Sequence, residues 1–104
     1  MVRKYQVKIT KIAESDIQEI FKYILRDNKR VAIKWVEEIE RQIDRLGNFP
    51  MRCSIIPEAQ ELEKKYRHLI YGNYRTIFRV EESKVIIMRV IHGARLLDLR
   101  MFEK

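Results

Sequence analysis

The chain has 104 residues, with 22 Lys and Arg against 15 Asp and Glu, for a formal charge of +7. That length suits one domain, residues 1–104, with a core of its own and no room for a second. The charge points to an acidic partner, either a nucleic acid or an acidic protein segment. The single Cys53 excludes an internal disulfide and a cysteine-based zinc site and suits a reducing compartment. No apolar run approaches the roughly 20 residues that span a bilayer, so no membrane partner is expected and the expected location is the cytoplasm.

In chain order, residues 4–9 alternate Tyr5, Val7 and Ile9 with Lys4, Gln6 and Lys8, the period of two that marks a strand with one buried face. Thr10 is placed to cap a helix in which Ala13, Ile17, Ile20, Phe21, Ile24 and Leu25 recur at spacings of three and four. After the polar residues 26–30, a second stripe of Ala32, Trp35, Val36, Ile39, Ile43 and Leu46 predicts a second helix and therefore a helical hairpin. Asn28 is its expected N-cap. Gly47, expected in the left-handed C′ conformation, and Pro50 end it. Trp35 is expected to anchor the hairpin on the sheet.

Residues 48–63 hold both prolines and no clean period, which predicts an irregular connection with a helical turn around 58–62. Residues 66–71 and 74–80 are rich in aromatic and β-branched side chains, and Gly72-Asn73 between them signals a two-residue hairpin. A turn at 81–84 leads into residues 85–91, apolar at nearly every position. Such a run fits a strand buried on both faces; periodicity alone also fits a buried helix, and length and β-branching favour the strand. Gly93 ends it, and residues 96–102 form a short terminal segment of undefined type. The fold class is α+β: an N-terminal strand, a two-helix hairpin and a three-strand antiparallel meander, with the helices packed on one face of the sheet. The opposite face is then expected to be open for function.

A two-residue turn pairs Tyr71 with Tyr74, Ile70 with Arg75 and His68 with Ile77, placing Tyr66, His68, Ile70, Arg75, Ile77 and Arg79 on one face. Guanidinium groups beside rings can grip phosphate and stack on bases, so His68, Arg75, Arg79 and Arg95 are candidates for contact with a nucleic acid or another target. Solvated arginines are nevertheless common on sheet faces. His92 and Arg95 flank Gly93 at the sheet rim, where an imidazole can act as general acid or base and arginines can stabilise phosphate charge. A histidine at a strand end is also commonly a structural hydrogen-bonding residue. Glu58 is the one acid of interest in the connection, whereas Glu37, Glu38 and Glu40 fit the solvated side of the second helix. Two histidines and scattered carboxylates offer no metal set. Without a GxGxxG, P-loop or nucleophile elbow, nucleotide-dependent and serine-hydrolase chemistry have no support, and no cofactor is expected.

The segments YRHLIYGNYRTIFRV and VIIMRVIHGARLL resemble the RelE/ParE superfamily of toxins from type II toxin-antitoxin systems, and the element order agrees over nearly the whole chain. The resemblance implies a compact basic toxin neutralised by a cognate acidic antitoxin whose tail wraps over it and covers apolar surface near the helical hairpin. It also implies a choice of mechanism. RelE-like members are ribosome-dependent, metal-independent mRNA endoribonucleases that use a basic cluster with a Tyr, His or Glu, and ParE-like members poison DNA gyrase. Arg75 and Arg95 match arginines of the RNase pattern. Opposite Arg75, however, stand His68 and Ile70 where RelE has lysines, the tail near Met101 has no tyrosine, and the ending IHGARLL looks closer to ParE. Gyrase is thus the expected target, with the ribosome and mRNA as the alternative. Under that alternative Glu58, Arg75 and His92 resemble the acid, arginine and histidine set of YoeB-like RNases, with Arg95 as a further catalytic residue.

Overall fold

The computed structural model describes residues 4–59 and 66–95. The terminal segment expected at 96–102 lies outside the described residues, as does most of the helical turn expected at 58–62. The elements are β1 (Gln6–Ile9), α1 (Lys11–Leu25), α2 (Lys29–Arg45), two 3₁₀ turns (Pro50–Arg52 and Pro57–Ala59), β2 (Tyr66–Tyr71), β3 (Tyr74–Glu81) and β4 (Lys84–His92). The four strands form one sheet in the order β1-β4-β3-β2. β1 joins parallel to β4, and the meander strands pair antiparallel. β4 is therefore central, which is why its sequence is apolar on both faces: Val85, Ile87 and Val90 enter the helix-side core and Ile91 the other side.

Both helices begin as their caps dictate. The Thr10 hydroxyl accepts from Ala13 N at 3.1 Å and donates to the Ile87 carbonyl at 2.9 Å, so one side chain caps α1 and ties it to β4. Asn28 Oδ1 accepts from Val31 N at 3.1 Å. The α2 stripe is buried as its period requires, with Ala32, Trp35, Ile39, Ile43 and Leu46 all inside. In α1, Ala13, Ile17, Ile20 and Ile24 pack on the core, while Leu25 is 39% exposed. Gly47 corrects the expected left-handed cap: α2 closes through Leu46 in the right-handed region, and the only positive-φ glycine among the described residues is Gly72. Gly47 serves close approach instead. Its carbonyl accepts from Tyr5 N at 2.7 Å, and a Cβ there would sit 3.0 Å from the Tyr5 carbonyl.

Between Ile77 and Phe78 the β3–β4 register shifts by one residue at Met88. The bulge is tied down from α1. Thr10 Oγ1 contacts the Ile87 and Met88 carbonyls, and Asp16 accepts from Val90 N at 3.0 Å while gripping Arg89 at 2.7 and 2.9 Å. That hydrogen-bonded carboxylate raises the Arg89 pKa further.

The sheet face turned away from the helices is not open as expected. Ile56, Tyr66, Ile77 and Ile91 form a second buried cluster there, with Met88 packed against it. The connection reaches it by pairing along the β2 edge: Ile56 N donates to Tyr66 O at 2.9 Å, His68 N donates to Ser54 O at 3.1 Å, and Ile55 bridges Arg67. Arg67 fixes the same loop by donating to the Met51 and Cys53 carbonyls at 3.2 and 2.6 Å. Among the described residues, no helix is long and apolar enough to cross a membrane.

Candidate functional site

The register matches the pairing read from the hairpin turn: Tyr71 faces Tyr74, Ile70 faces Arg75 and His68 faces Ile77. Alternation along β3 sends Tyr74, Phe78 and Val80 into the helix-side core and turns Arg75, Ile77 and Arg79 to the other face. Arg75 lies under the connection that covers this face and is only 5% exposed.

Its guanidinium is the hub of a polar cluster drawn from four segments. Nη1 donates to Glu58 Oε1 at 3.1 Å, and Nη2 donates to Glu58 Oε2 in a short charge-assisted bond that completes a bidentate fork. Nη2 also donates to the Arg95 carbonyl at 2.7 Å, and Nη1 lies 3.4 Å from His68 Nδ1. Four polar contacts thus occupy the two terminal nitrogens. Nε is buried with no hydrogen-bond partner among the described residues. Burial, followed by the neighbouring Arg75 charge, lowers the His68 pKa below its ordinary 6.5 despite an opposing pull from Glu58. Near neutral pH this imidazole is uncharged, with Nδ1 as the acceptor when Nε2 carries the proton.

Glu58, His68, Arg75 and the Arg95 backbone are therefore together. Arg79 and His92 stand apart from them. Arg79 lies four residues further along β3 on the same face and pairs with Glu81 at 3.1 Å. His92 pairs in register with Tyr74 rather than with Arg75 and is turned to the helix side, its ring 5.7 Å from that of Tyr74. It is exposed, and its Nδ1 accepts from Ala94 N at 3.1 Å. The side chain of Arg95 is exposed while its carbonyl serves Arg75. The histidine beside the Glu58–Arg75 pair is thus His68. Among the described residues no group of three or more His, Cys, Asp or Glu is placed to hold a metal ion.

The cluster can hold the connection on the sheet. To stabilise charge on a transferring phosphate, Arg75 needs donors directed at a substrate oxygen, and here those donors are directed at Glu58 and a backbone carbonyl. Residues that sequence reasoning passed over also shape the site. Ser54, Ile55 and Ile56 pair with the β2 edge, and Arg67 holds the loop in place, but neither shows in an aperiodic stretch with no hairpin signal.

An N-terminal strand, a helical hairpin and a three-strand antiparallel meander in one sheet match the α+β fold of RelE/ParE-like toxins. The fold superimposes on "Chromosomal ParDE TA system from P. aeruginosa" with a TM-score of 0.71 at 20% identity, over 86% of this chain and 97% of that one. It also superimposes on the toxin-antitoxin complex RelBE2 from Mycobacterium tuberculosis with a TM-score of 0.59 at 24% identity, over 91% and 97% of the respective chains. A sequence search of curated proteins finds no significant match. The family model of the ParE toxin of the type II toxin-antitoxin system parDE matches residues 7–97, and the chain belongs to that family. It is a toxin of the type II toxin-antitoxin class.

Proposed function

We propose that the chain arrests growth by poisoning DNA gyrase and is held inactive by a cognate acidic antitoxin. The observation that carries the gyrase reading is the state of Arg75: buried, forked onto Glu58 and bonded to the Arg95 carbonyl. An endoribonuclease would need this arginine turned to substrate, since among the described residues nothing else on this face offers a comparable buried cation beside an imidazole. Family membership supports the same choice, and the charge of +7 supports an acidic partner. The solved relatives, a ParDE toxin-antitoxin system and a RelBE2 toxin-antitoxin complex, support an antitoxin. Both roles put its work in the cytoplasm.

The second reading, ribosome-dependent mRNA cleavage, draws on the neutral His68 beside the Glu58–Arg75 pair, an acid, base and cation within one cluster. Controlled expression in cells separates the two. DNA replication stops before translation under the gyrase reading. Translation stopping first overturns it.

A further inference from the structure

The connection leaves α2 with an aromatic side chain that folding does not ask for. Phe49 has φ 52° and ψ 52°, the left-handed region, which a bulky residue enters at a cost and Asn or Gly enters readily. Its ring gains no burial in return and is 61% exposed. Met51 and Ile55, further along the same turn, are 52% and 37% exposed. These side chains nevertheless stand on a fixed frame. Asn48 bridges Lys4, Arg52 N donates to the Phe49 carbonyl and Cys53 N to the Pro50 carbonyl, each at 3.2 Å, and Arg67 holds the Met51 and Cys53 carbonyls. A strained residue persists where its surroundings over-determine it, and such residues gather at functional sites.

The rim of this knob is basic. Arg52 lies within it, and Arg45 adjoins it through a carbonyl that accepts from Asn48 N at 2.9 Å. Both are exposed, and neither is in an ion pair with another described residue. No acid occurs in sequence between Asp44 and Glu58. Asp44 lines a separate groove with Val7 and Ile9, and the Glu58 carboxylate is forked onto Arg75. Aromatic residues, Met and Arg are the types that protein interfaces concentrate, and a rigid apolar centre rimmed by arginines complements a folded acidic surface. Nucleic acid would match the charge but not the apolar Met51 and Ile55, and a second copy of this chain would bring arginine to arginine. We infer that the knob formed by Phe49, Met51 and Ile55 is the surface that meets an acidic patch on the target protein. The knob belongs to the connection and lies beyond the far end of α2, a helix of 17 residues and so about 25 Å from the α1–α2 turn. The inference rests on the gyrase reading and adds to it the place and the chemistry of the contact.

The strain at Phe49 makes it a clean position to test, because Asn tolerates the left-handed region and Phe49→Asn removes the ring without unfolding the turn. Ile12, 54% exposed on α1, gives the control Ile12→Asn. The probe is purified gyrase, titrated with labelled wild type and variants whose unfolding midpoints are measured alongside. Phe49→Asn weakens binding about tenfold or more with its midpoint undiminished, while Ile12→Asn binds as wild type does. Met51→Glu binds more weakly than Met51→Gln, and the gap narrows as salt is raised. Undiminished affinity in Phe49→Asn overturns the contact surface and leaves the gyrase reading standing. Equal affinities of Met51→Glu and Met51→Gln overturn the acidic patch and with it the proposal. Failure of the wild type to bind gyrase overturns the gyrase reading and this inference together. The acidic protein encoded beside this chain, titrated in parallel, binds wild type and Phe49→Asn alike; an equal loss there assigns the knob to the antitoxin and overturns the proposal.

Discussion

Arg75 shows how one residue can be charged, buried and structural at once. Its cost of desolvation is offset only while Glu58, His68 and the Arg95 carbonyl surround it. Arg75→Ala, which strands the Glu58 carboxylate, is expected to destabilise the fold by about 3–5 kcal/mol, measured by denaturant unfolding. Replacing both partners with Arg75→Met and Glu58→Leu is expected to recover most of that loss, because no charge is then left buried alone. His68 gives a pH signature. Its folded pKa lies below the ordinary 6.5, so the unfolded chain binds the proton more readily. The stability linked to His68 is complete above the unfolded pKa and falls as pH drops through 6.5 toward the folded value. His68→Gln should therefore lose less stability than wild type between about pH 7.5 and about 5.5, and equal losses in paired denaturation curves would remove His68 from the account. The cross-strand neighbours of Arg75 were legible from the Gly72-Asn73 turn, because a two-residue loop fixes register. Its contact with Glu58 was not, because that pairing depends on how an aperiodic connection folds back over the sheet.

Among the elements, those with a period were readable and those held by single contacts were not. The stripe from Ala32 to Leu46 named its own buried face, and Trp35→Ala is expected to cost about 3–5 kcal/mol in denaturant unfolding, since the ring fills the space between α2 and Tyr74. An unchanged midpoint would contradict that placement. Thr10→Ala is expected to cost about 0.5–2 kcal/mol, toward the upper end because the same hydroxyl also bonds the Ile87 carbonyl. The parallel docking of β1 on β4 carries no local sequence signal; it follows from the α1–α2 excursion returning the chain to the sheet. Gly47 illustrates a different limit. Its place after a helix suggests a left-handed cap, but the actual constraint is the close approach of the Tyr5 backbone, whose carbonyl lies 3.0 Å from where a Cβ would stand.

For the whole molecule, charge and shape divide the labour. A net charge of +7 speeds encounter with acidic partners and is screened by salt, whereas apolar contact is not. Antitoxin binding is accordingly expected to weaken with added salt yet persist at moderate ionic strength, which titration across salt concentrations checks. The meander was legible in the Tyr66 to Leu97 segment because hairpin pairing and turn chemistry are local, and the class of protein came from the resemblance of that segment to the RelE/ParE superfamily. The state of Arg75, on which the proposed target rests, was not legible, because its pairing with Glu58 depends on how the connection folds over the sheet. The most direct measurement is a cleavage assay with purified gyrase and supercoiled plasmid. The account predicts that wild-type protein traps gyrase on broken DNA and leaves mRNA on ribosomes intact. Ribosome-dependent mRNA cleavage that falls by about 10²–10³ in Arg75→Ala, with gyrase untouched, would contradict it.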